Sequence, residues 1–201
     1  MPTTPATRAI AVFRRAGGFL RTSDALRRGI HPRTLYALRA QGTILAVARG
    51  AFLLADQRQS EHLDLAVAGA RHHRGVVCLV SALAWHDLTD QIPHEVHLAL
   101  PPGAWTPRGT YPPLRTYRFS GPSLTAGVER HEVLGVGVKV FSAAKSVADT
   151  FKFRNRIGLD VAIEALQRYR RSRGFRADRL QHCAGLCRVE RVMRPYLQAL
   201  L

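Results

Sequence analysis

The sequence predicts an α+β protein of two domains: an N-terminal winged helix-turn-helix in residues 1–56, followed by a larger mixed sheet-and-helix domain in residues 57–201. Three observations carry this prediction. The first 56 residues contain short helical segments that stop at glycines and then a hairpin pattern. Four segments with the alternation of β-strands lie between residues 96 and 141, and the last 60 residues have helical periodicity. A chain of 201 residues is long enough to bury a core in each domain.

Two helices are predicted before residue 29. Residues 6–16 place apolar side chains at helical spacing and stop at Gly17, a glycine signal for the end of a helix. A second, shorter helix spans residues 22–28, and Thr22 or Ser23 can cap its N-terminus with a side-chain oxygen. These segments form the first two helices of the predicted module.

A third helix and a hairpin complete the predicted module. Pro32 suits the first position of a helix, and this helix runs to about residue 41. Residues 45–54 then alternate apolar and other side chains on both sides of a tight Arg49-Gly50 turn, which predicts a hairpin with one buried face. This order of elements is that of a winged helix-turn-helix.

The polar stretch 56–60 marks the predicted boundary between the two domains. Gly135 marks a turn between two strands, Ser142 caps the helix that follows them, and five prolines make residues 101–113 an irregular loop. The predicted elements are helices at 61–71 and 81–87, strands at 96–100, 114–119, 128–133 and 136–141, and helices at 143–153, 159–171, 177–186 and 189–200.

Charge separates the ends of the chain from its middle. The formal net charge is +16, from 30 basic and 14 acidic residues, and it divides into +7 for residues 1–56, +1 for 57–150 and +8 for 151–201. Most of the basic residues are arginine, a bias that a GC-rich genome also produces, so the distribution is more informative than the total. Localised positive charge predicts a nucleic-acid partner, with an anionic membrane surface as the alternative.

The third helix is predicted to be the recognition helix. Leu35 and Leu38 form its buried side, and an arginine near its start can bind the O6 and N7 atoms of guanine with both guanidinium nitrogens. The side chains that point away from the core or flank that face are Arg33, Thr34, Tyr36, Ala37 and Arg39. Small residues on this face let the helix enter the major groove of double-stranded DNA.

Further arginines surround the predicted recognition helix. Arg49 lies at the hairpin tip, where it suits a phosphate or minor-groove contact, and Arg27 and Arg28 flank the turn before the third helix. The alternative is that these arginines form only a solvated helix face. The coincidence of helix order, hairpin and local charge favours DNA binding.

A second basic cluster lies around the end of the 159–171 helix. Its members are Arg168, Arg170, Arg171, Arg173 and Arg176. These arginines either form a second surface for DNA backbone, tRNA or an acidic partner, or they stabilise the helix dipole and the solubility of the chain. The sequence leaves both readings open.

The sequence contains little that indicates catalysis. Ser142-x-x-Lys145 resembles part of a serine acyl-enzyme motif, but the companion motifs are missing and Ser142 stands where a helix cap is expected. Lys145 and Asp149 are spaced to pair along one helix face. We therefore predict that the protein is not an enzyme and uses no cofactor.

No metal site is predicted. Cys183 and Cys187 share a helix face near His182, and His94 is followed three residues later by His97. No Cys-x-x-Cys and no His-Glu-x-x-His occurs in the sequence, so the cysteines are interpreted as small core residues. Three cysteines in total form no disulfide framework and fit a reducing cytoplasm, and the apolar run 75–85 is too short to span a membrane.

Several stretches together resemble the AbiEi-type antitoxins of type IV toxin–antitoxin and abortive-infection systems. In the N-terminal part the resemblance rests on Gly-Phe-Leu-Arg-Thr-Ser-Asp-Ala-Leu from residue 18, Arg-Thr-Leu-Tyr-Ala-Leu from residue 33, and Val-Ala-Arg-Gly-Ala-Phe-Leu-Leu-Ala-Asp from residue 47. Further matching stretches are residues 78–89, 92–96, 142–149 and 158–166.

The resemblance implies a function that composition and spacing do not give. It implies a cytoplasmic repressor that binds inverted repeats in its own promoter, and a C-terminal domain that counters a nucleotidyltransferase-like toxin in antiviral defence. Two alternatives stay open. The C-terminal helices could bind the toxin directly, with DNA binding incidental, or the C-terminal domain could be a cryptic nuclease, which would need clustered carboxylates and a metal.

Overall fold

The computed structural model describes residues 4–105 and 111–199, and it has the mixed helix-and-sheet composition that the sequence predicts. The chain divides into two compact units: Met1–His73 with His131–Val138, and Arg74–Arg130 with Lys139–Leu201. These units differ from the predicted boundary after residue 56, because a further helix and a distant hairpin tip pack with the N-terminal segment. Part of the loop predicted at residues 101–113 lies outside the described residues.

Among its described residues, the first unit contains four α-helices and a three-stranded sheet. In chain order the elements are α1 (Pro5–Arg15), β1 (Phe19–Arg21), α2 (Thr22–Arg27), α3 (Pro32–Ala40), β2 (Ile44–Ala48), β3 (Ala51–Leu54), a 3-10 turn (Ala55–Gln59) and α4 (Leu63–Arg71). The three predicted helices and the predicted hairpin are therefore confirmed. Strand β1, of three residues, is too short for sequence alternation to reveal it.

The capping prediction for α2 was wrong. Arg21 occupies the N-cap position, without a side-chain hydrogen bond to the helix, and Thr22 is the first helical residue. The Thr22 hydroxyl instead donates to the backbone oxygen of Gly50 at 3.2 Å, and the Thr22 backbone N–H donates to the same oxygen at 2.8 Å. The start of α2 is thus bound to the hairpin tip, which satisfies backbone groups that a cap would otherwise serve.

The sheet of the first unit has the order β1–β3–β2, with both pairs antiparallel. All four residues of the central strand β3 are buried, so the predicted hairpin with one buried face was wrong for this strand. In β2 the register shifts between Ala46 and Ala48, and the buried residues are Ile44 and Val47. The bulge moves the alternation by one residue, which the apolar pattern alone does not disclose.

The helix α4 and the hairpin tip at 131–138 complete the first unit. Helix α4 packs on β2, where Arg71 Nε donates to the Val47 backbone oxygen at 2.6 Å. The tip approaches the end of α1 so closely that the tip and the residue after α1 both require glycine. A Cβ atom on Gly135 would lie 2.2 Å from the Ala16 oxygen, and one on Gly17 would lie 2.8 Å from the Gly135 nitrogen.

The second unit carries most of a five-stranded sheet and seven helices among the described residues. The elements are β4 (Val76–Val77), α5 (Leu79–Trp85), β5 (Val96–Leu100), β6 (Leu114–Arg118), α6 (Pro122–Thr125), β7 (Val128–Val133), β8 (Val136–Phe141), α7 (Ala143–Lys152), α8 (Arg154–Ile157), α9 (Leu159–Arg171), α10 (Ala177–Cys187) and α11 (Glu190–Ala199). The turn between β7 and β8 is the hairpin tip assigned to the first unit. The four predicted strands are confirmed, and β4 is an addition.

The sheet has the order β6–β5–β4–β8–β7 and mixes parallel and antiparallel neighbours. Strand β4 pairs antiparallel with β5 and parallel with β8, so a strand of two residues joins the two halves of the sheet. Such a short strand carries no periodicity of its own. Its existence depends on the neighbours that flank it.

Helix α7 is buried on nearly every side, because it packs against α5, α9 and α10. The predicted cap is confirmed, since the Ser142 hydroxyl accepts a hydrogen bond from the Lys145 backbone N–H at 3.4 Å. Lys145 and Asp149 form the predicted pair, with Nζ 2.6 Å from Oδ1 and 2.5 Å from Oδ2, and both side chains are 0% exposed. The spacing predicted that the two residues pair along one helix face, and the structure shows in addition that this ion pair is buried.

The surroundings of this pair are mostly apolar. Lys145 Nζ lies 4.2 Å from the centre of the Phe141 ring, and the Cys187 thiol donates to Asp149 Oδ1 at 3.1 Å. Burial, together with the Asp149 charge, raises the pKa of the Cys187 thiol to about 12, so this thiol keeps its proton and stays a donor. Burial also raises the pKa of the Asp149 carboxyl, against the opposing effect of Lys145.

A second buried polar group is His97, on β5. Its backbone N–H donates to Ser81 Oγ at 2.9 Å, and the residue is only 5% exposed. Burial lowers the pKa of the His97 imidazole from 6.5 to about 4, because the charged form loses solvation. The folded protein therefore holds His97 neutral across the physiological range.

This burial predicts an acid sensitivity of folding. Below about pH 6.5 the unfolded chain protonates His97, whereas the folded chain does so only near pH 4, so stability falls as the pH falls through this window. Between pH 7 and pH 5, His97→Gln should lose about 1–2 kcal/mol less stability than the unsubstituted protein in urea unfolding. Equal losses in the two proteins would show that His97 titrates normally in the folded state.

Among residues 4–105 and 111–199, no helix is both long and apolar enough to cross a membrane.

Candidate nucleic-acid interface

Helix α3 presents the predicted outward face. Leu35 and Leu38 are buried in the core of the first unit with Ile30, while Arg33, Ala37 and Arg39 are exposed. Tyr36 is 52% exposed, which is unusual for an aromatic side chain, and Thr34 is half-buried at the edge of the face. The structure therefore brings the predicted base-reading residues together on one accessible helix surface.

The start of α3 is fixed by local hydrogen bonds. His31 Nδ1 accepts from the Arg33 backbone N–H at 3.2 Å and so caps the helix, and Pro32 occupies the first turn as predicted. Sequence analysis did not identify His31 as a cap, because the usual capping residues are Ser, Thr, Asp and Asn. Since this cap fixes the backbone of the first turn, it also fixes the position of the Arg33 Cα atom, from which the side chain extends.

The two arginines that precede the turn into α3 differ in their surroundings. The backbone N–H of Ile30 donates to the Ala25 oxygen at 2.9 Å, and Gly29 takes a positive φ of 82° that closes the turn. Arg27 forms an ion pair with Asp24 on its own helix, whereas Arg28 is exposed beside α3. Arg27 is thus partly neutralised, and Arg28 is the better candidate for a phosphate contact.

The hairpin tip positions Arg49. Arg49 is exposed, and the neighbouring Gly50 accepts the two hydrogen bonds from Thr22 at the start of α2. The tip is therefore hydrogen-bonded to the start of α2. Gly50 has a φ of 65°, as the tight turn requires.

Two arginines of α1 belong to this surface and were missed by the sequence analysis. Arg8 and Arg15 line an open cleft of about 470 Å³ between α1 and the start of α3. Arg28, His31 and Thr34 line the same cleft. A signal was present, because Arg8 and Arg15 are seven residues apart and so lie on one helix face, but α1 was interpreted only as a packing helix.

Residues 8–55 match the family model described as "Transcriptional regulator, AbiEi antitoxin". This match covers about a quarter of the chain. The predicted resemblance is confirmed over these residues, which begin within α1, include all of α3 and end just after β3. For the stretches beyond residue 55, the resemblance stays a prediction.

Other comparisons address the fold of the whole chain. No curated protein matches it significantly. Among solved structures, the chain is similar to the crystal structure of the RV2827C protein from Mycobacterium tuberculosis, with a TM-score of 0.60 and 15% sequence identity. The match covers 90% of this chain and 71% of that one. At this identity the likeness shows a shared fold alone.

Beyond the residues that match the family model, the predicted C-terminal basic cluster is not uniform. Arg168 is ion-paired with Asp90 and, through Nε, with Glu164 at 2.9 Å. Arg176 pairs with Asp178 at 3.2 Å. Arg171 and Arg173 are exposed, and Arg170 is half-buried. Two of the five arginines thus have internal carboxylate partners, which weakens the case for one continuous second surface.

The cysteines lie where the sequence analysis placed them. Cys183 and Cys187 are buried in the helical core around α7, α9 and α10. Within residues 4–105 and 111–199, no group of three or more His, Cys, Asp or Glu side chains is arranged to hold a metal ion.

Proposed function

We propose that this protein is a sequence-specific DNA-binding repressor that acts, without catalysis, as the antitoxin of a type IV toxin–antitoxin system. In this proposal it binds inverted repeats in its own promoter as double-stranded DNA. It also counters a nucleotidyltransferase-like toxin inside the cytoplasm.

One observation supports the DNA-binding part: helix α3 is exposed and basic, and it lies inside the segment that matches the model of AbiEi-type regulators. Arg33 and Arg39 stand on the accessible face of α3, Arg28 lines the cleft at the start of this helix, and Arg49 is exposed at the hairpin tip. A helix that binds in the major groove is expected to carry base-reading residues at its centre and phosphate-contacting arginines around them. The +7 charge of residues 1–56 supplies long-range attraction to the DNA.

The first test is binding to the DNA upstream of the protein's own gene. We expect the full chain to bind this DNA more tightly than a scrambled sequence, with affinity that falls by about tenfold or more between low and moderate salt. Several arginine–phosphate contacts release counterions, which gives this salt dependence. Fluorescence anisotropy at four salt concentrations measures it, and the scrambled duplex of the same length is the control.

The DNA-binding part would fail if affinity were nearly independent of salt, or if the two duplexes bound equally at every salt concentration. The first outcome would show that arginine–phosphate contacts do not contribute to binding. The second would show that the protein does not read the DNA sequence and is attracted to polyanions in general.

The antitoxin part is best tested in the full chain. Cutting after residue 56 would remove β2, on which α4 packs, and would expose apolar side chains of α4. We therefore choose Arg33→Ala combined with Arg39→Ala, which removes two exposed side chains of α3 and leaves the core intact. Co-expressed with the adjacent toxin gene, this variant should lose repression and still rescue growth.

Growth rescue also distinguishes the alternatives. Rescue by the variant, with toxin retained on the immobilised protein, would favour direct toxin binding as the means of neutralisation. A folded variant that fails to rescue would mean that neutralisation requires DNA binding, or that the protein is a regulator without antitoxin activity. Degradation of DNA by the purified chain with added Mg²⁺ would instead support the nuclease alternative.

A further inference from the structure

The cleft of about 470 Å³ between α1 and the start of α3 collects positive charge. We call it the α1–α3 cleft. Arg8 and Arg15 line it from α1, and Arg28 and His31 line it from the residues before α3. All four side chains are exposed. No acidic side chain lines the cleft in the part of the chain that the structure describes.

The carboxylates of the same segment are engaged elsewhere. Residues 4–56 contain two acidic side chains, Asp24 and Asp56. Asp24 pairs with Arg27 on its own helix, and Asp56 Oδ2 lies 3.7 Å from Arg14 Nη2. Neither of these arginines lines the cleft. The positive charge of the cleft is therefore not compensated within this segment, and it attracts anionic partners.

The cleft also offers hydrogen-bond donors that the protein does not use. Among the described residues, Arg8 and Arg28 have no carboxylate partner, and Arg15 donates through Nε to a backbone oxygen of its own helix at 3.4 Å. His31 Nδ1 accepts from the Arg33 backbone N–H, so the neutral ring carries its proton on Nε2 and keeps one donor. Guanidinium and imidazole donors suit the oxygen atoms of a phosphate.

The shape of the cleft favours a chain of phosphates over a single small anion. Arg8 and Arg15 are two helical turns apart, about 10 Å along the axis of α1. Between them, on the same helix face, lies the small and exposed Ala11. On the opposite side, Gly29 faces open space, because a Cβ atom there would have no other atom within 4 Å. An extended backbone can therefore pass between the two walls.

The cleft continues into the exposed face of α3. Thr34 lines the cleft and stands at the edge of that face, next to Arg33 in the chain. A DNA strand with its phosphates in the cleft would thus border the groove that α3 enters. The arginines of the cleft, His31 and Thr34 all lie within residues 8–55, which match the model of AbiEi-type transcriptional regulators.

We propose that the α1–α3 cleft binds backbone phosphates of double-stranded DNA, on the strand beside the groove that α3 enters. This inference rests on the proposed function and adds helix α1 to the DNA-binding surface. Arg8 and Arg15 contact phosphates, so they carry no base preference, and they fix the orientation of α3 on the duplex. An acidic protein is the competing partner.

The first test is DNA binding by full-length variants whose folding is confirmed by circular dichroism. Arg8→Gln and Arg15→Gln should each weaken binding to the upstream duplex and to a scrambled duplex by similar factors, about threefold to tenfold at low salt. Each should also lower the slope of log affinity against log salt by about one unit, because one phosphate contact is lost. Fluorescence anisotropy measures both quantities.

Arg14→Gln is the matched control. It removes the same charge from the same helix, but Arg14 does not line the cleft. Long-range attraction to DNA therefore decreases equally in all three variants, and any further loss reports contact. We expect Arg14→Gln to change affinity by less than about twofold and to keep the salt slope.

The second test locates the contact on the DNA. Single phosphates of the upstream duplex are replaced, one at a time, by uncharged methylphosphonate. The unsubstituted protein should lose about threefold or more in affinity at one or two neighbouring positions beside the groove that α3 enters. Arg8→Gln or Arg15→Gln should be insensitive at those positions, because the contact is already missing, whereas Arg14→Gln should keep the sensitivity.

Two outcomes would overturn the cleft proposal while the proposed function stands. In the first, the unsubstituted protein binds its upstream duplex, and Arg8→Gln and Arg15→Gln match Arg14→Gln in affinity, salt slope and methylphosphonate sensitivity. In the second, these two variants keep full DNA affinity but lose growth rescue, which would assign the cleft to an acidic protein. If the unsubstituted protein bound neither duplex, the proposed function would fail and the cleft proposal with it.

Discussion

Replacing Asp149 by alanine is expected to lower the free energy of unfolding by about 3–5 kcal/mol, because it leaves the Lys145 charge buried without a partner. Both side chains are fully buried, and Lys145 Nζ has Asp149 as its carboxylate partner at 2.5 Å. The Cys187 thiol would lose its acceptor as well. Urea-induced unfolding followed by circular dichroism measures the change.

A double variant separates the charge effect from simple loss of packing. Lys145→Met with Asp149→Leu replaces the ion pair by apolar side chains of similar size, and the methionine can pack on the Phe141 ring that Lys145 now contacts. We expect the double variant to regain most of the stability that either single variant loses. Glu132→Ala removes an exposed carboxylate and should change stability by no more than about 0.5 kcal/mol.

If the double variant were as unstable as Asp149→Ala, the loss would come from cavity and shape rather than from the unpaired charge. A single variant with nearly normal stability would mean that water or another group compensates Lys145. Either result would contradict the buried ion pair as the reason for the cost.

Arg33→Ala is expected to cost about 1–3 kcal/mol of binding to the protein's own promoter and to relax the preference at one base position. Arg33 stands on the exposed face of α3 near its capped start, where a bidentate guanine contact is possible. Arg49→Ala removes an exposed arginine of the hairpin tip and should weaken all duplexes by similar factors. Each is therefore the matched control for the other.

The measurement is a set of binding curves with duplexes that vary one base pair at a time. For Arg49→Ala the salt dependence should also decrease, by about one unit in the slope of log affinity against log salt. If both variants lost only non-specific affinity, α3 would not be the recognition helix. If Arg33→Ala changed nothing, base readout would reside elsewhere on the first unit.

Local sequence signals were sufficient for most of the elements. Glycines at helix ends, Pro32 at the start of α3 and alternation in β5 and β8 predicted elements that the structure confirms within a few residues. These signals act within one or two turns of chain, so they need no tertiary information. The outward face of α3 was predictable for the same reason, since helical periodicity fixes which residues oppose Leu35 and Leu38.

Signals that depend on distant partners were not available from the sequence. Strand β1 depends on its pairing with β3, and β4 on its place between β5 and β8. The capping role predicted for Thr22 was wrong because its hydroxyl is bound to the hairpin tip. The arginines of α1 line the same cleft as the start of α3 because the two helices pack together, which no local pattern predicts. Pairing between segments far apart in the chain has no local signature.

What the sequence determined by itself was the helix-and-strand order, the basic N-terminal module and the i, i+4 spacing of Lys145 and Asp149. The tertiary structure alone decided that this pair is buried, because α5, α9 and α10 surround α7. The same spacing on an exposed helix would contribute only a few tenths of a kcal/mol. Its expected importance arises because burial removes the water that would otherwise solvate each charge.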